Sequence, residues 1–140
     1  MYVFRFSSRL SKDKIMKRLQ NLKTMNKNIN AIAVSSNYIH SLKQLQLAYI
    51  LTKKSFKRKT NLANDFILEL LLWLLGETDI RKALAKNDFS PDNFILVSFQ
   101  KINRGMHNML LKKLCAKEKS IMLKKNASAL ELEKISTSRL

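Results

Sequence analysis

The sequence predicts an α+β fold (α/β-type), a single domain in which a small mixed sheet of about four strands packs with helices around a central apolar helix. Two observations lead to this prediction. Segments with helical spacing of apolar residues alternate with short β-branched or aromatic runs, and residues 61–76 carry apolar side chains on every helical face. At 140 residues the chain can bury such a core without disulfide or metal support.

The central helix is expected at Asn61–Gly76, because ten large apolar residues lie between Leu62 and Leu75. A helix that is apolar all round is normally a buried one. Gly76 suits the position just past its end. Glu69, inside the apolar run, could be a tuned acid or base, and we expect instead a structural hydrogen-bond acceptor.

The first third of the chain predicts a strand, a helix and a second strand. Tyr2–Phe6 is aromatic and β-branched, as strands prefer. Ser11 can cap a helix, since apolar residues follow it at helical spacing: Ile15, Leu19 and Leu22, with Met16. The apolar run Ala31–Val34 lies between polar clusters and indicates a buried strand.

A second helix is expected from Tyr38 to Thr52, with Ser36-Asn37 as its cap. Its core side is predicted to carry four apolar residues, namely Leu42, Leu45, Tyr49 and Ile50. His40 lies in the first turn of this helix and is expected to be an exposed polar residue.

After the central helix, Thr78 or Asp79 can cap a short helix that contains Ile80, Ala83 and Leu84. The strongest strand signal of the chain is Phe94–Phe99. The remaining predicted elements are a helix at about Asn103–Lys117 with Met106, Met109, Leu110 and Leu114 on one face, a last strand at Lys119–Lys124, and a short terminal helix at Ala127–Ile135.

The charge of the chain points to a polyanionic partner. The net charge is +17 and the pI is about 10.3, which favours binding to nucleic acid or to an acidic surface. The positive charge is densest at 53–59, where five cations flank one aromatic residue: Lys53, Lys54, Phe56, Lys57, Arg58 and Lys59. Most such runs are solvated loops. Here the run would end at a helix N-terminus (Thr60-Asn61), which favours anions, and Phe56 could stack on a base.

The sequence carries no pattern of a known catalytic site. Gly76 and Gly105 are the only glycines, so glycine-rich phosphate loops are excluded. Cys115 is the only cysteine and is expected to be a small buried apolar residue; no spaced Cys/His set suggests zinc. We therefore expect no enzyme, cofactor or metal. No signal peptide or membrane span is recognised, which predicts a cytoplasmic protein.

The run from Val34 to Phe99 resembles the kinase-binding small subunit of the KEOPS complex, the TPRKB-like family. A strand leads into an amphipathic helix containing a histidine, a basic Lys-Arg-Lys-Thr connection follows, and a helix comes next in which a glutamate precedes aliphatic residues. The matching positions are Val34-Ser35-Ser36 to Ala48, Lys57 to Thr60, Glu69-Leu70-Leu71-Leu72, the helix Ile80 to Leu84, and Phe94–Phe99.

This resemblance implies a non-catalytic subunit in the formation of threonylcarbamoyladenosine in tRNA. Such a subunit binds the small atypical kinase/ATPase of the complex, and through it the other KEOPS subunits, and archaeal-type members also bind the 3′ CCA end of tRNA. The whole chain, 1–140, would be one such domain, with 127–140 docking on the kinase through Leu130, Leu132 and Ile135. The alternative is a general basic RNA-binding or ribosome-associated module.

Overall fold

The structure, a computed structural model, describes residues 2–25, 30–98 and 100–119. Within these ranges it contains four strands, β1 Tyr2–Ser8, β2 Ala31–Ser35, β3 Phe94–Ser98 and β4 Ala116–Lys119, and five α-helices, α1 Lys12–Met25, α2 Leu42–Lys57, α3 Phe66–Leu75, α4 Ile80–Lys86 and α5 Arg104–Lys113. The α+β class is therefore confirmed. The chain groups into two compact units, one holding the four strands with α1 and α5, and one holding α2, α3 and α4.

The sheet of the first unit has the strand order β2-β3-β1-β4, and every neighbouring pair is antiparallel. The expectation of a mixed sheet is wrong. β1 runs parallel to β2, and β3 runs parallel to β4, but the strands of each parallel pair are not neighbours in the sheet. β3 lies between β1 and β2, and β1 lies between β3 and β4. These two interleaved split β-α-β units form the ferredoxin-like topology. Residues 37–88, which carry the helices of the second unit, are inserted between β2 and β3.

The core of the first unit lies between one face of the sheet and helices α1 and α5. Phe94 and Leu96 share that face with Phe6 because strand side chains alternate with a period of two. α1 contributes Ile15, Leu19 and Leu22 at helical spacing, and α5 contributes Leu110, with Leu114 from the cap at its C-terminal end. The predicted inward faces of both helices are confirmed except at Met16, which is exposed, and Met106 and Met109 are partly buried beside this core.

Helix α2 begins at Leu42, four residues later than predicted, because a capping box fixes its start. The Gln44 N–H donates to the Ser41 hydroxyl at 3.2 Å, and the Ser41 N–H donates to Oε1 of Gln44 at 3.0 Å. Ser36–Tyr38 forms a short 3₁₀ turn instead of the cap. Leu42 and Ile50 are exposed, which contradicts their predicted place in the core. The buried side of α2 contains Leu45 and three polar residues, namely Gln44, Thr52 and Ser55.

Helix α3 is buried as predicted, with Ile67 and every residue from Glu69 to Leu75 inaccessible or nearly so. Its start is later than predicted, since Asp65 is the N-cap and accepts a hydrogen bond from the Ile67 N–H at 2.8 Å. Gly76 ends the helix with φ 66°, as expected for that position. Asp79 caps α4, which confirms one of the two predicted caps.

The C-terminal boundaries differ from the prediction. Asn103 caps α5, but the helix ends at Lys113 and β4 begins at Ala116. Cys115 adopts φ 48°, which ends the helix and turns the chain into the strand, and its side chain is exposed, not buried as predicted. Residues 120–140, including most of the predicted last strand and the terminal-helix residues Leu130, Leu132 and Ile135, lie outside the described residues, as does Phe99.

None of the helices in the described ranges is long and apolar enough to cross a membrane. Whether residues 1–140 act as one domain stays a prediction.

Candidate nucleic-acid interface

Five cations form an exposed group at the C-terminal end of α2, here called the α2 basic cluster: Lys53, Lys54, Lys57, Arg58 and Lys59. The structure places the first three within the helix and not in a loop. No glycine or proline interrupts this stretch, and cations in a last helical turn interact favourably with the partial negative charge of the helix end. Three of the five cations are therefore carried on helical backbone, and all five side chains face solvent.

The turn after α2 is a Schellman motif, with its two defining hydrogen bonds in place. The Thr60 N–H donates to the Ser55 carbonyl at 2.8 Å, and the Lys59 N–H donates to the Phe56 carbonyl at 3.2 Å. Lys59 occupies the left-handed position with φ 57°. Glycine holds the equivalent position after α3, at Gly76. A lysine there costs about 1–2 kcal/mol of backbone strain, yet places a fifth cation in the cluster.

Replacing Lys59 with glycine is expected to raise the free energy of unfolding by about 0.5–1 kcal/mol, because relief of strain exceeds the added entropy of the unfolded chain. The matched control is Lys57→Gly, which removes the same charge from the helix itself and is expected to cost about 1 kcal/mol. Urea denaturation of both variants measures the difference. A Lys59→Gly protein that is less stable than the parent would contradict the claim that Lys59 strains the backbone.

Phe56 is half-buried and stacks on Phe66 of α3, with ring centroids 5.6 Å apart and an interplanar angle of 23°. Phe66 also meets the ring of Tyr49 edge-on at 5.8 Å. The Phe56 ring therefore joins α2 to α3, and only the part of its surface that this packing leaves exposed is open to a base. Base stacking by Phe56 stays a prediction.

Tyr49, predicted on the core side of its helix, is also an aromatic neighbour of the α2 basic cluster. The Lys53 ammonium lies 5.2 Å from the centroid of the half-buried Tyr49 ring, within the range of a cation–π contact. The signal for it was the spacing of four residues between Tyr49 and Lys53, which makes them neighbours on a helix.

The predicted anion site at a helix N-terminus near Thr60-Asn61 is wrong, because no helix begins there. The N–H groups of Leu62 and Ala63 both donate to Oε2 of Glu69 at 2.9 Å. At the actual start of α3, the Asp65 side chain occupies the helix end. Phosphate binding at this end of α2 would rest on the cationic side chains themselves.

Glu69 is fully buried and acts as a hydrogen-bond acceptor, which confirms the structural role expected of it. Besides the two backbone groups, the Ser55 hydroxyl of α2 donates to Oε1 at 3.5 Å. One carboxylate thus fastens α3 to the end of α2 and to the connection between them. The geometry of the α2 basic cluster depends on this anchor.

His40 is exposed, as predicted, and its backbone N–H donates to Gln44 Oε1 at 2.7 Å. Among the described residues, no group of three or more His, Cys, Asp and Glu side chains is placed to hold a metal ion. Neither His40 nor Glu69 therefore belongs to a metal-ligand group within that part of the chain.

Neither a protein-family model nor a curated protein matches the chain.

The first unit is also strongly basic. Its described residues include thirteen Lys/Arg and three Asp/Glu, so the α2 basic cluster holds only part of the positive charge. The Arg18 guanidinium donates to the Lys113 carbonyl at 2.7 Å and links α1 to the end of α5. Seven of these cations lie in residues 5–23 and six in residues 101–119, so the fold brings two basic segments of the sequence into one unit.

Proposed function

We propose that the chain is a non-catalytic accessory subunit of the KEOPS complex in tRNA threonylcarbamoyladenosine formation. It binds tRNA, including the 3′ CCA end, and the small kinase/ATPase of the complex. The observation that carries the nucleic-acid part is the α2 basic cluster, five exposed cations on an ordered helix end in a chain of net charge +17. The order of motifs from Val34 to Phe99 supports the choice of family.

Recognition of tRNA by the cluster would be mainly electrostatic. Arg58 can bind a phosphate through two parallel N–H groups, while the four lysines act as point charges. Lys53 and Lys57 are one helical turn apart and lie on the same side of α2, so they suit successive phosphates of one strand. The exposed part of the Phe56 ring is the candidate platform for a terminal base.

The kinase contact is assigned to Leu130, Leu132 and Ile135 of the predicted terminal helix, outside the described residues. A helix this short is marginal alone and gains stability from a docking partner. Catalysis would belong to other subunits, and the site of action would be the cytoplasm.

A general basic RNA-binding or ribosome-associated module is the second candidate. The spread of positive charge over both compact units favours it, since charge alone binds RNA without regard to sequence. The two candidates differ in their dependence on the CCA end and on the kinase.

The experiment is native mass spectrometry and fluorescence anisotropy with intact or CCA-trimmed tRNA, each with and without the cognate small kinase. We expect trimming to weaken binding about tenfold or more, since base–aromatic stacking contributes about 1–3 kcal/mol per base. We also expect a complex of protein, kinase and tRNA.

Equal affinity for both tRNAs without kinase binding would favour the general RNA-binding module. Truncation after Asn126 is the matched variant for the kinase arm, and it is expected to abolish the kinase complex while leaving tRNA binding by the α2 basic cluster. Kinase binding by the truncated chain would place that interface elsewhere.

A further inference from the structure

A cleft of about 490 Å³ opens in the first unit where β1 ends and α5 turns into β4. Its volume lies within the range of small-molecule binding sites, about 300–1,000 Å³. Charged or polar residues of β1, α5, β4 and the turns beside them line it, including Ser7, Arg9, Asp92, Lys112, Cys115 and Lys117. None of these residues belongs to the α2 basic cluster.

The walls of the cleft are held by backbone hydrogen bonds. Ser7 pairs with Lys117 in the antiparallel ladder of β1 and β4. Beyond the ladder, the Arg9 N–H donates to the Cys115 carbonyl at 3.3 Å. On the other side, the Ser8 N–H donates to the Pro91 carbonyl at 2.8 Å. The backbone around the cleft is therefore fixed at the end of the sheet.

The charge in the cleft favours an anion. Arg9, Lys112 and Lys117 are exposed, and none forms an ion pair with another residue in the described ranges. Asp92 is the one carboxylate of the lining, so cations outnumber it three to one. The half-buried Ser7 hydroxyl adds a donor with no partner in the described part of the chain. Guanidinium, ammonium and hydroxyl groups together suit a phosphate.

The rest of the lining suits the remainder of a nucleotide. Leu111 and Ala116 provide apolar surface beside the cations, which can pack against a base or a sugar. The Asp92 carboxylate is an acceptor that a sugar hydroxyl can bind, as acidic residues do for ribose in other nucleotide sites.

We propose that this cleft binds the phosphate of a nucleotide, either a free mononucleotide or one nucleotide of an RNA strand. Arg9, Lys112 and Lys117 hold the phosphate oxygens, Ser7 donates to one of them, and Asp92 accepts from the sugar. The site does not depend on the role proposed for the α2 basic cluster or on the KEOPS assignment.

Cys115 provides a direct probe of this cleft, because it is the only cysteine of the chain, is exposed, and lines the cavity. The rate of its alkylation by neutral iodoacetamide is followed by intact mass at constant ionic strength. We expect adenosine monophosphate or a short oligoadenylate to slow alkylation severalfold, and adenosine, which lacks the phosphate, to leave it unchanged.

The two ligands separate the two sources of phosphate. Protection by both identifies a site for free nucleotides, and protection by the oligoadenylate alone identifies a contact to RNA. Protection by neither, or equal protection by adenosine, would overturn the proposal.

The matched variants are Arg9→Ala/Lys112→Ala, which removes two cations from the cleft, and Lys14→Ala/Lys17→Ala, which removes two exposed cations of α1 that do not line it. Only the first is expected to abolish protection. Loss of Cys115 protection in both double variants would show that the ligand is attracted by charge in general, and it would overturn the proposed site. Lys117→Ala, checked by circular dichroism, repeats the test if the first variant does not fold.

Failure of this test leaves the proposed function standing, because tRNA affinity of the Arg9→Ala/Lys112→Ala variant is read separately. Failure of tRNA binding at the α2 basic cluster would likewise leave protection of Cys115 by adenosine monophosphate intact.

Discussion

Replacing Glu69 with leucine is expected to lower the free energy of unfolding by about 3 kcal/mol or more. The carboxylate accepts hydrogen bonds from the N–H groups of Leu62 and Ala63 and from the Ser55 hydroxyl. Leucine removes the acceptor but leaves these donors in place. Hydrogen bonds to a charged group contribute about 1.5–3 kcal/mol each, and a buried donor without a partner costs about 1–3 kcal/mol. Urea denaturation measures the loss.

Glu69→Gln separates the need for an acceptor from the need for a charge. Both backbone N–H groups donate to the same oxygen, so the amide oxygen of glutamine can still accept both, and we expect a loss of about 1 kcal/mol. The control Glu77→Gln affects a partly exposed ion pair with Lys86 at 3.6 Å and should cost no more than about 1 kcal/mol. A glutamine variant as unstable as the leucine variant would contradict this account.

The same glutamine variant tests the expectation that the chain is not an enzyme. In a reconstituted modification complex, Glu69→Gln combined with His40→Ala is expected to leave the rate of tRNA modification unchanged. A rate lost while the complex stays assembled would assign chemistry to one of these two residues.

Neutralising the whole α2 basic cluster to glutamine is expected to weaken tRNA binding by roughly a thousandfold at about 0.1 M salt. Each phosphate contact to a single strand contributes a slope of about 0.7 in the dependence of log affinity on log salt. If all five cations contact phosphate, the slope should therefore fall by about 3.5. Anisotropy titrations over a series of salt concentrations measure both quantities.

The control removes the same formal charge at five exposed positions outside the α2 basic cluster and the cleft, namely Lys14, Lys17, Lys43, Lys101 and Arg104. A much smaller change in slope is expected for this variant. Equal slopes of log affinity against log salt in the two variants would mean that tRNA affinity depends only on the total charge. That is the behaviour expected of the general RNA-binding module.

The sequence predicted the strands and helices of the described chain well where local patterns are strong. Phe94–Ser98, with five consecutive buried residues, and the apolar helix Phe66–Leu75 are examples. Boundaries were less predictable where two signals compete. Ser36-Asn37 and Ser41 can each cap a helix, and the glutamine three residues after Ser41 decides between them through a side-chain bond to the backbone. At Cys115 no glycine or proline marks the turn that ends α5.

The strand order could not be predicted, because it depends on pairings between distant segments that no local pattern records. Tyr2 lies opposite Ser98, and Arg5 lies opposite Lys119. The same reason explains why the α2 basic cluster was found from sequence and the cleft was not. The five cations of the cluster are nearly contiguous, whereas Arg9 and Lys112 become neighbours of one cavity only when β4 pairs with β1.

The insertion of residues 37–88 between β2 and β3 has a consequence for synthesis on the ribosome. β1 emerges well before both of its partners, since Phe6 pairs with Phe94 and with Glu118. At a rate of synthesis of about 5–20 residues per second, β3 is made roughly 5–20 s after β1. Helices α2, α3 and α4 have local contacts that can form during this interval. The aromatic strand β1 therefore remains without its sheet partners during this interval.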